Sequence, residues 1–342
     1  MDKQVPAEET YDNGGAIAIK GYNFQHAIAS LIIILNYKKD DFCIYFETKD
    51  DVEVSLENKH IFIQVKGQKL SINDLTKPEK NNNKSILLKN ISKNSSKKAR
   101  YKVVALDFAE KDKKELSINQ ESCLFGEINC YSEEQKQIII EKLLQQGMTE
   151  AEIKEKLSSS YIYFSPFVNN AECAYTYLLG CMNQNEINVD SNRGQAVLNE
   201  LLKMITQKAE KVINNEQEKE IKKLESRELR KLFKSSECFN NRVKLANELK
   251  NADILNLKDY FKIKKELLDV DIKHRALKNE IENTGVIDFI ETDKNEITAI
   301  HELYREIAKI KPQHNKALLY ALSIDLYIDK VISEVEDESN DN

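Results

Sequence analysis

No CxxC pair occurs among the six cysteines, which are scattered along 342 residues. That excludes a thiolate zinc site of familiar spacing and a disulfide framework, and it suits reduced thiols in a cytoplasmic protein. The five histidines are widely separated, so a histidine-built metal cluster is not expected. Neither GxxxxGK[ST] nor GxGxxG is present; NTPase and dinucleotide sites are therefore not expected, and Gly14, Gly15 and Gly21 do not make a phosphate-cradling loop. The longest apolar run, residues 27–35, is broken by Ser30 and falls far short of the ~20 residues a spanning helix needs. Residues 1–15 are polar and acidic, unlike a secretory or organellar leader. The expectation is a cytoplasmic protein with no membrane partner.

What the sequence does contain is ordinary in bulk: 41% hydrophobic, 32% charged, net charge −6. The length suffices for one large or two modest domains with a well-buried core. Residues 1–15 read as a flexible lead-in ending at Gly14-Gly15, 16–225 as an α/β domain, 226–335 as a helical region for assembly or partner docking, and 336–342 as an acidic tail. A helix buried on most faces is predicted over 21–36, and strands over 42–47, 52–56, 60–66, 101–106 and 161–164. Ser132 with Gln135 and Thr149 with Glu152 are capping-box pairs that open two helices, the first closing at Gly147. From about residue 190 the pattern turns helical, with Leu198, Leu201, Leu202, Ile205, Ala209, Val212 and Ile213 on one face. Residues 214–223 are charged and read as solvated, and a soft boundary falls near 215–235.

The chemistry is concentrated in two neighbouring strands. Period-two alternation puts Ile61, Ile63 and Val65 on one face of the third strand, a face that wants a core, and Phe62, Gln64 and Lys66 on the other. In the strand before it, Asp51 and Glu53 share a face opposite Val52 and Val54. Pairing of the two strands around residues 57–59 brings a carboxylate and an amine to one sheet edge. Phosphodiester hydrolysis uses such a set: oxygen ligands hold a hard divalent cation, and a lysine stabilises developing negative charge or helps deprotonate water. A QxK at a strand end is common by chance, and Asp50-Asp51 also suits a plain turn, so the order and placement carry the reading.

Asp51, thirteen residues before Gln64 and followed by Lys66, resembles the PD-(D/E)xK nuclease core in the variant where Gln replaces the second acid. The wider blocks GGAIAIKGYNFQ, FETKDDVEV and IFIQVKG are similar to the nuclease domain of CBASS effector endonucleases and of the nuclease subunit of Lamassu-type antiphage systems. The similarity is good over 14–67, weak over 68–180 and absent beyond about 235; no cyclic-nucleotide sensor domain is matched. The resemblance implies an α/β fold, with a restriction-endonuclease-like central mixed sheet flanked by helices over 16–225, followed by an α-helical C-terminal region. It implies an Mg2+-dependent endonuclease (Mn2+ as an alternative) acting on double-stranded DNA as an antiphage effector. In it Asp51 would be the principal metal ligand, Gln64 would orient metal or water, and the Val65 carbonyl would be a further ligand. Lys66 would be the catalytic lysine, Glu47 would complete the metal shell, and Gln25 would contact water or phosphate. Expected partners are further copies of the chain and a regulatory protein such as an SMC-like or HerA-type ATPase.

A second signal is independent of that resemblance. Between Lys77 and Lys102 lie nine basic residues and one acid, Glu79. Lys69, Lys84, Lys97, Lys98 and Arg100 are the expected phosphate contacts, against the plainer reading of a solvated lysine-rich loop. A competing class is a catalytically silent nuclease-fold subunit that binds DNA or assembles, a reading the neutral Gln64 keeps open.

Overall fold

The computed structural model describes residues 13–79, 83–94, 98–119, 124–185, 187, 191–237, 239–260, 262–263, 271–288, 290 and 295–340. The chain divides into two units, Met1–Phe233 and Lys234–Asn342, and the described apolar cores fall within one unit or the other.

Among its described residues the first unit contains eight strands, β1 (Cys43–Phe46), β2 (Val52–Leu56), β3 (Lys59–Leu70), β4 (Lys98–Phe108), β5 (Ser117–Asn119), β6 (Ile128–Cys130), β7 (Ser160–Phe164) and β8 (Lys223–Glu225). The helices α1 (Gly14–Asn36), α2 (Ile72–Thr76), α3 (Ile86–Ile91), α4 (Glu110–Glu115), α5 (Glu133–Leu144), α6 (Glu150–Leu157), α7 (Ala171–Gln184) and α8 (Ser191–Ala209) lie before and between them in the chain. The strands form one sheet in the order β5-β6-β7-β4-β3-β2-β1-β8. The central β3–β4 and β4–β7 pairs are parallel and the flanking pairs antiparallel. This is the mixed sheet flanked by helices that the sequence led us to expect. Strands β2 and β3 form a hairpin in which Leu56 pairs with Lys59. Its two turn residues, Glu57 (φ 49) and Asn58 (φ 59), are both left-handed, as a two-residue turn matched to strand twist requires.

Alternation along β3 sorts its faces as the pattern predicts. Ile61, Ile63 and Val65 join Val52, Val54, Ile44 and Phe46 in a core with the first helix, α1 (Gly14–Asn36). Phe62 belongs to the core on the other face, with Leu87, Leu88 and Ile91 from the short helix α3 (Ile86–Ile91). The capping boxes Ser132/Gln135 and Thr149/Glu152 both form, at Glu133–Leu144 and Glu150–Leu157, and Gly147 follows with φ 94.

Several expectations are corrected. Helix α1 begins at Gly14, so Gly14-Gly15 are its first turn and not the end of a lead-in; the alanines and isoleucines at 16–19 are compatible with helix. Residues 1–12 lie outside the described residues. The burial expected over 21–36 holds from Phe24 onward, whereas Ile17, Ile19 and Tyr22 are exposed. By length and composition alone α1 would suffice to cross a membrane, but half of its most apolar window is buried. Strand β3 runs on past Gly67 to Leu70, with a register shift between Lys66 and Lys69. Helix α8 (Ser191–Ala209) buries Leu198, Leu201 and Ile205 but ends before Val212, which is exposed.

The largest correction concerns residues 214–223. They are solvated only in part: residues 214–217, 220 and 221 are exposed, but Glu216–Lys222 is a 3-10 helix in which Lys219 and Lys222 are buried, and β8 follows directly, pairing with β1 at the sheet edge. The composition looked solvated because lysine is almost never buried unpaired; here both lysines have oxygen partners within the unit.

The second unit is helical, as expected. Phe239–Asn251, Asp271–Glu282, Glu296–Ile310 and Lys316–Asn340 pack around Leu245, Leu249, Ile281, Ile300, Leu303, Ile307 and Ile324. The final helix continues through the acidic residues 336–340.

Candidate active site

The acids lie in the hairpin loop between β1 and β2. Phe46 pairs with Val52, leaving residues 47–51 as the turn. It is closed by main-chain bonds from Glu47 N–H to the Asp51 carbonyl (3.1 Å) and from Thr48 N–H to the Asp50 carbonyl (3.3 Å). Glu47 adopts a left-handed backbone (φ 46), uncommon for a residue with a side chain.

Because Val52 pairs with Ile63, Asp51 comes opposite Gln64. The Asp51 Oδ2 accepts the Val65 main-chain N–H at 2.7 Å and a short hydrogen bond from the Gln64 amide nitrogen. Gln64 is buried and is oriented by this bond, its amide nitrogen turned towards Asp51. Lys66 follows on the same face, half-buried. Strand pairing thus brings Asp51, Gln64, Val65 and Lys66 together.

Electrostatics ties Glu47 into this group. Burial, then the charge of Asp51, pushes the Glu47 carboxyl up to about 7, with Lys222 and Lys66 pulling against that rise and Asp50 adding to it. Asp50 is raised to about 6, first by burial; its hydrogen bond from Asn90 opposes the rise and the Asp51 charge adds to it. The two adjacent acids do different work. Asp50 is fastened to α3, accepting the Asn90 amide at 2.7 Å while the same nitrogen donates to the Phe62 carbonyl at 3.1 Å. Asp51 is the one directed at Gln64-Val65-Lys66.

Glu53, on the Asp51 side of β2, is fully buried. It accepts from Lys49 N–H (2.6 Å), His60 Nε2 (2.7 Å), Lys219 Nζ (2.6 Å) and Thr48 Oγ1. Burial opposes its ionisation, but bonds from His60, Lys219 and Thr48 outweigh that and hold Glu53 down at about 2. With all four donors directed at it, Glu53 is a structural anchor.

Gln25 lies on α1, and its Oε1 is buried with no hydrogen-bond partner; no hydrogen bond described here links it to Asp51, Gln64 or Lys66. Its neighbour Phe24 packs beside Gly67, the residue after Lys66. A Cβ at Gly67 would lie 2.3 Å from the Asn169 amide nitrogen, which instead donates to the Gly67 carbonyl at 2.6 Å. Asn90, Asn169, Lys219 and Lys222 are contributors that motif reasoning did not single out. Asn90, Lys219 and Lys222 reach the site through contacts 28 to 175 positions apart in sequence, which no local pattern displays.

The basic residues scatter. Lys69 forms surface ion pairs with Asp107 (3.3 Å) and Glu110 (3.6 Å). Lys84 is exposed just before α3. Lys98 and Arg100 begin β4, paired with Lys59 and Ile61, whereas Gln64 pairs with Val103. At ~3.3 Å per residue that sets them at the far end of the strand from the acids. Arg100 donates to Ser159 Oγ at 2.8 Å, and Lys97 lies outside the described residues.

The residues around Asp51 fit a hard divalent cation in chemistry. The Asp51 carboxylate, the Glu47 carboxyl that its charge raises, the Gln64 amide oxygen and the Val65 main-chain carbonyl are all oxygen donors. Among the described residues no group of three or more His, Cys, Asp or Glu surrounds one point, so such an ion would depend on Gln64 and Val65 beside Asp51 and Glu47.

The sequence profile described as "Cap4, dsDNA endonuclease domain" matches residues 13–209. Lamassu protein LmuA from a Bacillus species is 34% identical over 323 residues, covering 92% of this chain and 97% of the relative. Among solved structures, the Cap4 SAVED/CARF-domain containing receptor of Moraxella osloensis aligns with a TM-score of 0.36 and 16% identity, over 55% of this chain and 43% of that one. That of Acinetobacter baumannii aligns with a TM-score of 0.38 and 11% identity, over 64% and 46%. The chain thus spans less than half the length of these solved receptors.

Proposed function

The chain belongs to the Cap4 dsDNA endonuclease domain family, and from that membership we propose that it is a divalent-metal-dependent endonuclease cutting double-stranded DNA as an effector of bacterial antiphage defence. The single observation that carries the reading is the meeting of Asp51 with Gln64 and the Val65 main chain, with Lys66 next on the same face. Asp51, Glu47, the Gln64 amide oxygen and the Val65 carbonyl are the residues that would hold Mg2+, or Mn2+ in its place. The ion, when bound, supplies charge neutralisation of the scissile phosphate and a more acidic water.

The protein's own groups do the rest. Lys66 carries positive charge to the edge where the phosphate arrives and stabilises the negative charge that develops on its oxygens. Glu47, raised by burial and by the Asp51 charge while no cation is present, would give up its proton as the ion binds and complete the oxygen shell beside Asp51. The Asp51–Gln64 bond fixes both side chains in place before substrate binds, so little reorganisation is needed. Lys84, Lys98 and Arg100 would add sequence-independent attraction along the duplex flanks. Gln64 is neutral where the PD-(D/E)xK pattern it resembles has an acid, which would leave one negative charge fewer around the ion and let the DNA phosphates complete its neutralisation.

In this reading the protein works in the cytoplasm with further copies of itself and with a regulatory ATPase-type partner, which docks through the helical unit, Lys234–Asn342. The antiphage part of the reading is supported by the likeness to Lamassu protein LmuA over nearly its whole length. The test is cleavage of linear duplex DNA with Mg2+ by the wild type, Asp51→Ala and Lys66→Ala proteins, each checked for folding by circular dichroism. Full cutting by the wild type, strongly slowed cutting by Lys66→Ala and none by Asp51→Ala are expected. Equal cutting by all three overturns the site, and metal-independent DNA binding with no cleavage in any metal or with any partner would favour a silent DNA-binding subunit.

A further inference from the structure

We propose that the 3-10 helix Glu216–Lys222 is a three-point clamp that holds the loop carrying Asp51 in its working shape, with Glu216, Lys219 and Lys222 as positioning residues. Its effect on cleavage rests on the nuclease reading above; the clamp itself rests on geometry.

A 3-10 helix has three residues per turn, so side chains three apart line up in a row. Residues 216, 219 and 222 are such a row, and each grips a different point of the acid loop and the start of β2. Glu216 Oε2 is 3.0 Å from Lys49 Nζ. Lys219 Nζ is 2.6 Å from Glu53 Oε2. Lys222 Nζ donates to the Glu47 main-chain carbonyl at 2.7 Å.

Two of these contacts are built into the interior. Lys219 and Lys222 are only 7% and 4% exposed, and an ammonium is taken out of water only where oxygen partners await it. Lys219 also lies over the Tyr45 ring, 4.7 Å from its centre, a further favourable contact for a desolvated cation. Lys222 makes a second bond, to the carbonyl of Ala209 at 3.1 Å, so one ammonium joins the end of α8 to the acid loop. The row is followed at once by β8, whose Lys223, Leu224 and Glu225 pair with Tyr45, Ile44 and Cys43. The helix therefore cannot slide along the strand that leads into the loop.

The loop needs such support. Glu47 holds a left-handed backbone, a conformation that costs free energy and persists where surroundings over-determine it. Its carbonyl, capped by Lys222, belongs to that same residue. Glu53, the other end of the grip, lies two positions beyond Asp51. The Cap4 domain match stops at residue 209, so this clamp lies wholly beyond it.

The test uses the full-length chain with Lys222→Met, Lys219→Met and Lys222→Arg. Hydrogen exchange is followed by mass spectrometry without metal or DNA, and kcat and KM are measured on linear duplex with Mg2+. In Lys222→Met, amides of residues 47–53 should exchange about tenfold faster, the scale of losing a hydrogen bond from a charged donor, while β4 and β7 keep wild-type protection. Cleavage should lose kcat with KM changed less than about twofold, and Lys222→Arg should recover most of both. Wild-type exchange over 47–53 in both methionine variants, or acceleration spread evenly over the sheet, overturns the clamp. Should the methionine variants fail to fold, Lys222→Gln, which keeps a hydrogen-bond donor but loses the charge and the reach to the Glu47 carbonyl, must still loosen residues 47–53, and its failure to do so overturns the proposal. If the wild type cuts no DNA, the nuclease reading fails and the exchange data alone decide the clamp.

Discussion

Asp51 and Val65 are joined through a side chain where a sheet ordinarily uses main chain: the Asp51 Oδ2 accepts the Val65 N–H at 2.7 Å. The carboxylate is thereby registered to the backbone of β3, not merely placed near it. Asp51→Ala should abolish cleavage to below detection, because it removes the principal ligand of the proposed metal site and frees the end of β2. Lys66→Ala, which leaves that hydrogen bond intact, should lower the single-turnover rate by about 10²–10³-fold, the usual loss when one charge-stabilising group goes.

Stability should depend on pH in a definite sense when no divalent cation is present. Glu47 is raised from 4.5 to about 7 in the folded protein, so the folded state binds more protons than the unfolded one in that window. Stability must then fall as pH rises from about 4.5 to 7. Asp50, raised from 3.8 to about 6, adds a decline over its own range. Glu53, lowered from 4.5 to about 2, acts oppositely, giving stability that is present above about 4.5 and lost as pH falls through about 2. Thermal melts of wild type and Glu47→Gln from about pH 5 to about 7.5, spanning the Glu47 window, check this. The variant should show a shallower decline.

Removing one partner of the buried Glu53–Lys219 pair should cost far more than its surface counterparts. Glu53→Gln leaves the buried Lys219 with only the more distant Glu216 carboxylate at 3.8 Å and the Tyr45 ring, an expected loss of about 3 kcal/mol in urea unfolding. Breaking the exposed Lys154–Glu150 pair should be within about 1 kcal/mol of neutral.

Gly67→Ala should disturb the strand just beyond Lys66, since the added Cβ would meet Asn169 at 2.3 Å. We expect destabilisation of about 1–3 kcal/mol and reduced cleavage. Asn169→Ala removes the obstacle, so the double variant should lose less than the sum of the single losses, as a double-mutant cycle of melting and rate data will show.

Mg2+ should stabilise the folded chain in the absence of DNA. At a hundredfold excess over the dissociation constant the gain is about 2.7 kcal/mol. Asp51→Ala should erase the shift in melting temperature, whereas Lys84→Ala, remote from the oxygen donors, should keep it.

The central hairpin was legible because its information is local. Period-two alternation in residues 52–66 set the faces, and a two-residue turn set the register that brings Asp51 to Gln64. The capping boxes at Ser132 and Thr149 were legible for the same reason. What escaped was long-range compensation. Lys219 and Lys222 sit in a run of charge that composition assigns to solvent, and only the folded sheet supplies Glu53 and the Glu47 carbonyl to receive them. The Asn90 grip on Asp50 was hidden likewise in an Asn- and Lys-rich stretch whose middle, Ile86–Ile91, is a buried helix. The basic residues illustrate the converse: a cluster along the sequence, Lys98 and Arg100 included, is drawn out along a strand in space.

The edge strand β8 has a consequence for the order in which the protein comes into being. Glu53 and Lys219 are separated by 166 positions, so the first seven strands leave the ribosome before the eighth exists. Since chains emerge amino end first and fold as they do so, the acid loop stays unlatched until residues 216–225 are synthesised. Synthesis itself thus imposes a delay between a folded sheet and a finished cutting centre, and a ribosome stalled before that point leaves an unarmed chain.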